Sequence, residues 1–269
     1  MREFQRTILS YFNEHGRSFP WRGTQDPYEI LCSEIMLQQT QTERVVPKYI
    51  AWIEEFPTVE SLAKATFADV LTLWSGLGYN RRAKFLHDAC KTVVEELNGV
   101  FPSTASELQK LSGVGPYTSC AVSTFAFNNV EVFIETNIRS LYIFFFYKDA
   151  HTVLDSELMS LIKQTLYKDD PRTWYYALMD YGAELKKKVK NPNRKSAHYT
   201  KQSKFEGSIR QARGVIIKQL TNANKLSLTS IAENESIDFE RILKASQSLV
   251  KEGIICEKNN IVYIDNYGK

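Results

Sequence analysis

Residues 102–127, "PSTASELQKLSGVGPYTSCAVSTFAF", narrow the possible folds more than any other stretch of the chain. Thr104 and Glu107 form a capping-box pattern that starts a helix. The helix stops at Ser112-Gly113, and Gly113 and Gly115 let the backbone turn tightly with no side chain in the way. Pro116 suits the first position of a second helix, where no N–H is needed. The spacing therefore predicts helix, glycine turn, helix. Backbone N–H groups of Gly113, Val114 and Gly115 then stand at a helix N-terminus, a geometry that cradles a phosphate. A bare G-x-G would fit an ordinary helical hairpin as well, but L-S-G-V-G-P-Y-T is much more specific.

Helical periodicity extends over the rest of residues 1–185. Apolar residues recur at three- and four-residue spacing in 28–53, 59–74, 81–97, 104–111, 117–127 and 155–166, with proline and glycine between them. Beyond residue 205 the pattern changes. "RQARGVIIKQL", "SLTSIAEN" and "DFERILKASQSLVKEG" read as three helices, and "GIICEKNNIVYID" alternates around a turn at Asn259-Asn260. Three helices and a hairpin describe a winged helix. The expected organisation is a helical domain over 1–190, a basic linker over 191–204 and a small α+β module over 205–269.

The net charge of +3 hides an uneven distribution. The first 185 residues carry 17 basic and 23 acidic side chains, whereas "KKKVKNPNRKSAHYTKQSK", residues 186–204, holds eight basic residues and no acid. Lys186, Lys187, Lys188 and Lys190 open this run, which suits contact with a polyanion as well as simple solvation. The module after it is almost neutral, so a packing role and direct DNA contact both stand open for it. No stretch approaches the roughly 20 apolar residues of a membrane span. The N-terminus reads as an amphipathic helix, and the expected location is cytoplasmic. Cys32, Cys90, Cys120 and Cys256 lie far apart in apolar segments and read as reduced core residues.

Four segments hold candidate chemistry. In "PYEILCSEIMLQQTQTERV", Glu34 shares a helical face with Ile30, Leu31 and Leu37. A carboxyl group on an apolar stripe can hold a proton near neutral pH, although pairing with Arg44 is the plainer alternative. Gln38, Gln39 and Gln41 follow, amides able to fill a gap in a base stack or read a base edge. "WSGLGYNRRAKFL" presents Tyr79 beside Arg81 and Arg82, which suits stacking and phosphate contact. In "VFIETNIRS", Glu135 ends the strand-like run Val132, Phe133, Ile134 and precedes Asn137 and Arg139. A carboxylate among apolar neighbours must be paired or hydrogen-bonded, and Arg139 is a local candidate partner.

With these segments in order, residues 5 to 186 resemble the helix-hairpin-helix DNA glycosylases and are similar to the MutY-type adenine DNA glycosylases. The strings that carry the resemblance are "FPWR" at 19–22, "SEIMLQQTQ" at 33–41, "FPTVESLA" at 56–63, "LWSGLGY" at 73–79, "LSGVGPYT" at 111–118, "NIRS" at 137–140 and "ALMDYGA" at 177–183. The tail from "FEGSIRQARG" resembles the short winged-helix ending of some bacterial members. The resemblance implies an all-α fold of two helical subdomains with DNA between them, followed by the winged-helix-like α+β module. It implies a monomeric enzyme that flips a base from duplex DNA carrying a mismatched or damaged base and cuts the N-glycosidic bond. Glu34 matches the acid that protonates the departing adenine. Glu135 falls where the family has the Asp that stabilises the sugar cation. Asn137 matches an Asn near the sugar and phosphate, and Tyr117 a Tyr beside the catalytic carboxylates. Arg22, with Trp21, Leu37 and Tyr176, falls around the flipped base. Tyr79 matches the residue that wedges into the stack beside oxidised guanine.

The chain departs from the family pattern in several places. Lyase relatives carry Lys where this chain has Tyr117, so a monofunctional enzyme is expected. Most members bind an iron–sulfur cluster through four Cys after "MDYGA"; here that segment is the cysteine-free basic run, so no cluster and no other metal is expected. At 269 residues the chain is expected to lack the Nudix-like domain of longer members. Tyr176 stands where Gln or Glu usually faces adenine, and Glu135 where Asp is usual. The expected substrate is adenine opposite 8-oxoguanine or guanine. The alternatives are another base (thymine or uracil opposite guanine, or a modified base) and a catalytically weak DNA-binding relative.

Overall fold

A computed structural model describes residues 2–200, 204–223 and 225–264. Lys201 of the basic run, Gln202 and Ser203 of the linker and Asp265 of the hairpin stretch lie outside the described residues. The chain divides into two compact units, the first being Met1–Leu31, Pro102–Lys110 and Val114–Lys201, the second Cys32–Phe101, Leu111–Gly113 and Gln202–Lys269. The winged-helix module thus belongs to the same unit as the helices of residues 42–96. Among the described residues no helix is long and apolar enough to cross a membrane.

The first unit is built on the helix Pro171–Lys188, with Pro171 at its first turn and the Asp170 side chain accepting from the Thr173 N–H. Its apolar face buries Trp174, Tyr175 and Leu178. Phe4, from the helix Arg2–His15, meets Tyr142 and Trp174 edge to face. Tyr175 and Tyr176 stack on Phe133 and Phe125, with ring centroids 3.8 Å and 4.4 Å apart. Aromatic pairs of this kind add about 0.5–1.5 kcal/mol each beyond the area they bury. Gly182 lets the helix Thr136–Phe146 approach closely, since a Cβ there would lie 2.3 Å from the carbonyl oxygen of Asn137.

Residues 189–200 close onto the same unit. Val153 and Ser196 form a parallel bridge, flanked by the bonds Val153 N–H to Lys195 O at 2.9 Å and Ala197 N–H to Val153 O at 3.0 Å. The buried Asn193 donates its amide to Thr136 O at 2.9 Å, and Lys195 reaches the carbonyls of Tyr147 and Lys148.

In the second unit the helices Thr42–Glu55, Val59–Lys64, Phe67–Trp74 and Arg81–Glu96 enclose Trp52, Leu62, Leu71, Trp74 and Leu86. The expected pattern over 28–53 resolves into two helices, Pro27–Leu37 and Thr42–Glu55, because the chain turns at Gln39 with a left-handed φ of 55°. The tail holds the helices Ile209–Asn222, Leu228–Asn234 and Phe239–Lys251, as its sequence predicts. Its hairpin, β2 (Cys256–Lys258) and β3 (Ile261–Tyr263), turns at Asn259 and Asn260, both at positive φ. A further strand, β1 (Lys225–Ser227), pairs antiparallel with β3 to give the order β1-β3-β2. Arg213 of the first of these helices and Glu252, which caps the end of the last, form a two-pronged ion pair at 2.6–2.7 Å.

Three local expectations need correction. Val132–Ile134 forms no strand; the Phe133 N–H is taken by the Tyr175 hydroxyl at 3.2 Å instead of a ladder partner. The first hairpin helix is only Ala105–Leu108, and Glu107 accepts the Thr104 hydroxyl at 2.7 Å where a capping box would have it accept a backbone N–H. Cys32 and Cys90 are buried core residues, but Cys120 and Cys256 are half-buried.

Candidate active site

Glu135 is the N-cap of the helix Thr136–Phe146. Its Oε1 accepts from the backbone N–H of Asn137 at 2.7 Å and of Ile138 at 2.8 Å, and its Oε2 accepts from the Asn137 side-chain amide at 3.2 Å. Glu is an unusual N-cap, since shorter acceptors usually reach these donors. Here the longer side chain folds back onto the helix end, where the dipole favours negative charge. Arg139 does not take the carboxylate; it forms a bidentate pair with Asp155 at 2.8 and 2.7 Å. Burial raises the Glu135 pKa above its ordinary value, against the N–H bonds and the charges of Lys186 and Arg139, which lower it. Lys186 is half-buried, and burial lowers its own pKa while Glu135 opposes that shift. Lys187 and Lys188 lie exposed and pair with Glu184 at 3.3 and 3.4 Å, and Lys190 is exposed.

Tyr117 opens the helix Pro116–Phe127, half-buried with its ring edge-on to Phe133 at 5.7 Å. The turn before it has the expected shape. Gly113 has φ 71°, and a Cβ there would lie 2.4 Å from Phe85 Cβ, so no other residue fits. Val114 is buried, while the space where a Cβ would sit on Gly115 is open. Within the described residues no hydrogen bond occupies the N–H of Gly113, Val114 or Gly115.

Arg22 and Trp21 sit in the 3-10 turn Pro20–Arg22. Trp21 is buried and stacks on Phe19. Arg22 grips Asp180 through both terminal nitrogens at 2.8 Å, and Arg17 donates to the same carboxylate from its backbone and guanidinium. Burial alone would raise the Asp180 pKa, but the bonds and charges of Arg22 and Arg17 outweigh it and hold the carboxyl below its usual range. The Arg22 guanidinium also covers the Tyr176 ring at 4.4 Å, on a residue 8% exposed. Arg22 and Tyr176 are thus both held in a buried cluster whose centre, Asp180, sequence reasoning missed.

Glu34 is 6% exposed on the helix Pro27–Leu37, where Ile30, Leu31, Ile35 and Met36 are all buried. Leu37 and Gln38 are half-buried, and Gln39 and Gln41 exposed. Arg82, read with Arg81 as a phosphate contact, is instead buried and structural. It donates to the carbonyls of Ile35, Met36 and Gln38, to those of Leu77 and Gly78, and to the Thr40 hydroxyl. These bonds tie the end of the Glu34 helix, whose last carbonyls have no helical partner, to the glycine turn before Tyr79. Burial lowers the Arg82 pKa to about 10. Arg81 is exposed and covers the Phe85 ring at 4.8 Å. Tyr79, 37% exposed, holds a left-handed φ of 49°. Such a conformation costs a bulky residue on the order of 1–2 kcal/mol, a strain that surrounding contacts must hold in place.

Residues 32–171, just over half of the chain, match the model of the HhH-GPD superfamily base excision DNA repair proteins. The chain belongs to this family. Among HhH-GPD relatives, it is 34% identical over 185 residues to the adenine DNA glycosylase of Buchnera aphidicola subsp. Baizongia pistaciae, covering 67% of this chain and 52% of that protein. It is 33% identical over 194 residues to the Homo sapiens adenine DNA glycosylase, covering 68% of this chain and 36% of that one. The chain therefore spans about half, or less, of the length of these relatives. A thermostable thymine-DNA glycosylase structure matches with a TM-score of 0.61 at 28% identity, covering 68% of this chain and 85% of that chain. The two-subdomain HhH-GPD glycosylase fold expected from the sequence is the fold observed.

Proposed function

We propose that this chain is a monofunctional DNA glycosylase that acts as a monomer on duplex DNA, flips out adenine opposite 8-oxoguanine or guanine, and hydrolyses its N-glycosidic bond in base excision repair. The observation that carries the reading is the Glu135 carboxylate, fixed by three hydrogen bonds beside Asn137 in a chain of this family. The names of the adenine-specific relatives support the choice of base.

Cleavage of an N-glycoside passes through an oxocarbenium-like state, which needs a proton on the departing base and negative charge near the anomeric carbon. Glu34, among apolar neighbours, gives its proton to the adenine ring as the bond to the sugar breaks. Glu135 supplies the negative charge, and water completes the hydrolysis. The preset N–H bonds keep the Glu135 oxygens from reorienting as charge develops. The open N–H groups of residues 113–115 suit a backbone phosphate, and Gln38, Gln39, Gln41, Tyr79 and Arg81 the surrounding duplex. Tyr117 has no amine with which to form a Schiff base, so the enzyme leaves the strand intact.

An iron–sulfur cluster does not fit the segment after Gly182. It offers no thiolate, and its described part is already tied to the protein through Val153, Thr136, Tyr147 and Lys148. We read the segment as a cofactor-free closure whose exposed lysines contact DNA phosphates.

Single-turnover assays on duplexes carrying A opposite 8-oxoguanine, A·G, T·G and U·G test the reading. Adenine release without strand nicking is the expected result. Release of thymine or uracil in preference to adenine would overturn the base assignment, and DNA binding with no release from any duplex would overturn the enzyme assignment.

A further inference from the structure

Tyr79 is held from the tail. Arg210, in the first turn of the helix Ile209–Asn222, donates from Nη1 to the Tyr79 hydroxyl at 2.9 Å, and its guanidinium lies 5.9 Å from the Tyr79 ring centroid. The same guanidinium lies 6.0 Å from the ring of Phe205, which is 57% exposed. From within the helical part of the unit, Arg82 lies 5.5 Å from the Tyr79 ring while bonding the backbone just before it. The ring thus meets two guanidiniums, one anchored in the core and one supplied by the tail. A Tyr at positive φ next to a flexible glycine needs such contacts to keep one orientation. Phe205 and Arg210 lie outside residues 32–171, which match the family model, within the tail stretch "FEGSIRQARG" that resembles the ending of some bacterial members.

We propose that Arg210 is a positioning residue that sets the Tyr79 ring for the base opposite the excised one, so that the winged-helix module contributes to recognition of oxidised guanine. The inference rests on the glycosylase reading above, with Tyr79 as the wedge. The hydrogen bond fixes the far end of the ring, and the cation draws it toward the tail. Without the bond the ring loses its hold at the hydroxyl end and turns more readily about its χ angles, and a more mobile wedge discriminates poorly between opposing bases.

The test uses the full chain and single-turnover kinetics on adenine opposite 8-oxoguanine and opposite guanine, over a range of enzyme concentrations. Arg210→Ala and Tyr79→Phe are each expected to raise the half-saturating concentration on the 8-oxoguanine duplex on the order of tenfold, the scale of one hydrogen bond from a charged donor. The guanine duplex should move much less, so the ratio between the two falls. The double variant should fall no further than either single one, because both changes remove the same interaction. Arg210→Lys, which keeps a charged donor, should recover part of the ratio. A ratio unchanged in Arg210→Ala, or effects that add in the double variant, would overturn the proposal. A weakening equal on both duplexes and matched by a fall in melting temperature would overturn it too, in favour of a purely structural role. If the wild-type chain releases adenine from neither duplex, the glycosylase reading fails first and this inference goes with it, an outcome distinct from an active wild type with indifferent variants.

Discussion

In the proposed mechanism Glu34 and Glu135 hold opposite protonation states, and each can be tested by itself. Glu34→Gln keeps the shape but removes the acid, so base release should fall by roughly 100- to 10,000-fold with DNA binding retained, as read by single-turnover kinetics and a binding assay. A near-normal rate would remove Glu34 from the mechanism. In that mechanism Glu135 is ionised, and burial raises its pKa. The rate should therefore fall as pH drops, with a midpoint above the ordinary Glu value of about 4.3, and a pH–rate profile reads it. Glu135→Asp asks whether the pocket is built for Glu. Asp has one methylene fewer, and displacements on the order of 1 Å can change rates about 100-fold. Since Glu135 reaches both cap donors at 2.7–2.8 Å, Asp should release base more slowly here; faster release would mean that the cap, and not the chemistry, holds Glu in place.

The helices carry two predictions of their own. Gly182 permits the close approach of Pro171–Lys188 to Thr136–Phe146 at Asn137, the residue that bonds Glu135. Gly182→Ala should destabilise the fold by about 1–3 kcal/mol, the range for overpacking, and should slow base release at temperatures where the protein is still folded, through displacement of Asn137. Melting curves and single-turnover rates separate the two effects. His87, 3% exposed on the helix Arg81–Glu96 and stacked on Phe67, has its pKa pushed down to about 4, first by burial and then by Lys91. The unfolded chain, with His near 6.5, binds more protons than the folded one between these values. Stability is therefore full above about pH 6.5 and declines as pH falls toward about 4, by on the order of 3 kcal/mol. Urea unfolding at pH 7 and pH 5 should show the decline, and His87→Phe should reduce it. At this scale the sequence was a good guide where periodicity and punctuation are strong, as in the glycine hairpin and the three tail helices. It was a poor one for β1, whose three residues are too few to alternate, and for Val132–Ile134, whose apolar run looks like a strand but bonds to a tyrosine. Arg82 could have been placed: it lies on the face that Leu86, Ala89 and Cys90 bury, four and seven or eight residues on. Asp180 and Arg210 could not, since their partners lie far away in sequence.

Across the whole molecule, the positive charge is concentrated in one short segment that follows an acidic first 185 residues. Neutralising Lys187, Lys188 and Lys190 should weaken binding to any duplex alike and make the salt dependence of binding shallower by about 0.9 in log–log slope for each phosphate that is no longer neutralised. An unchanged slope would mean that these side chains, two of which already pair with Glu184, are only solvated. The same segment is closed by Val153, Asn193, Lys195 and Ala197, through bonds the polypeptide makes as it folds. Read as cofactor-free, as proposed above, such a closure would need no assembly machinery and no supply of iron. Cells grown with an iron chelator should therefore yield as much folded protein, with the same melting temperature, as cells grown in iron-rich medium, and the repair activity proposed for this chain would persist when iron is scarce.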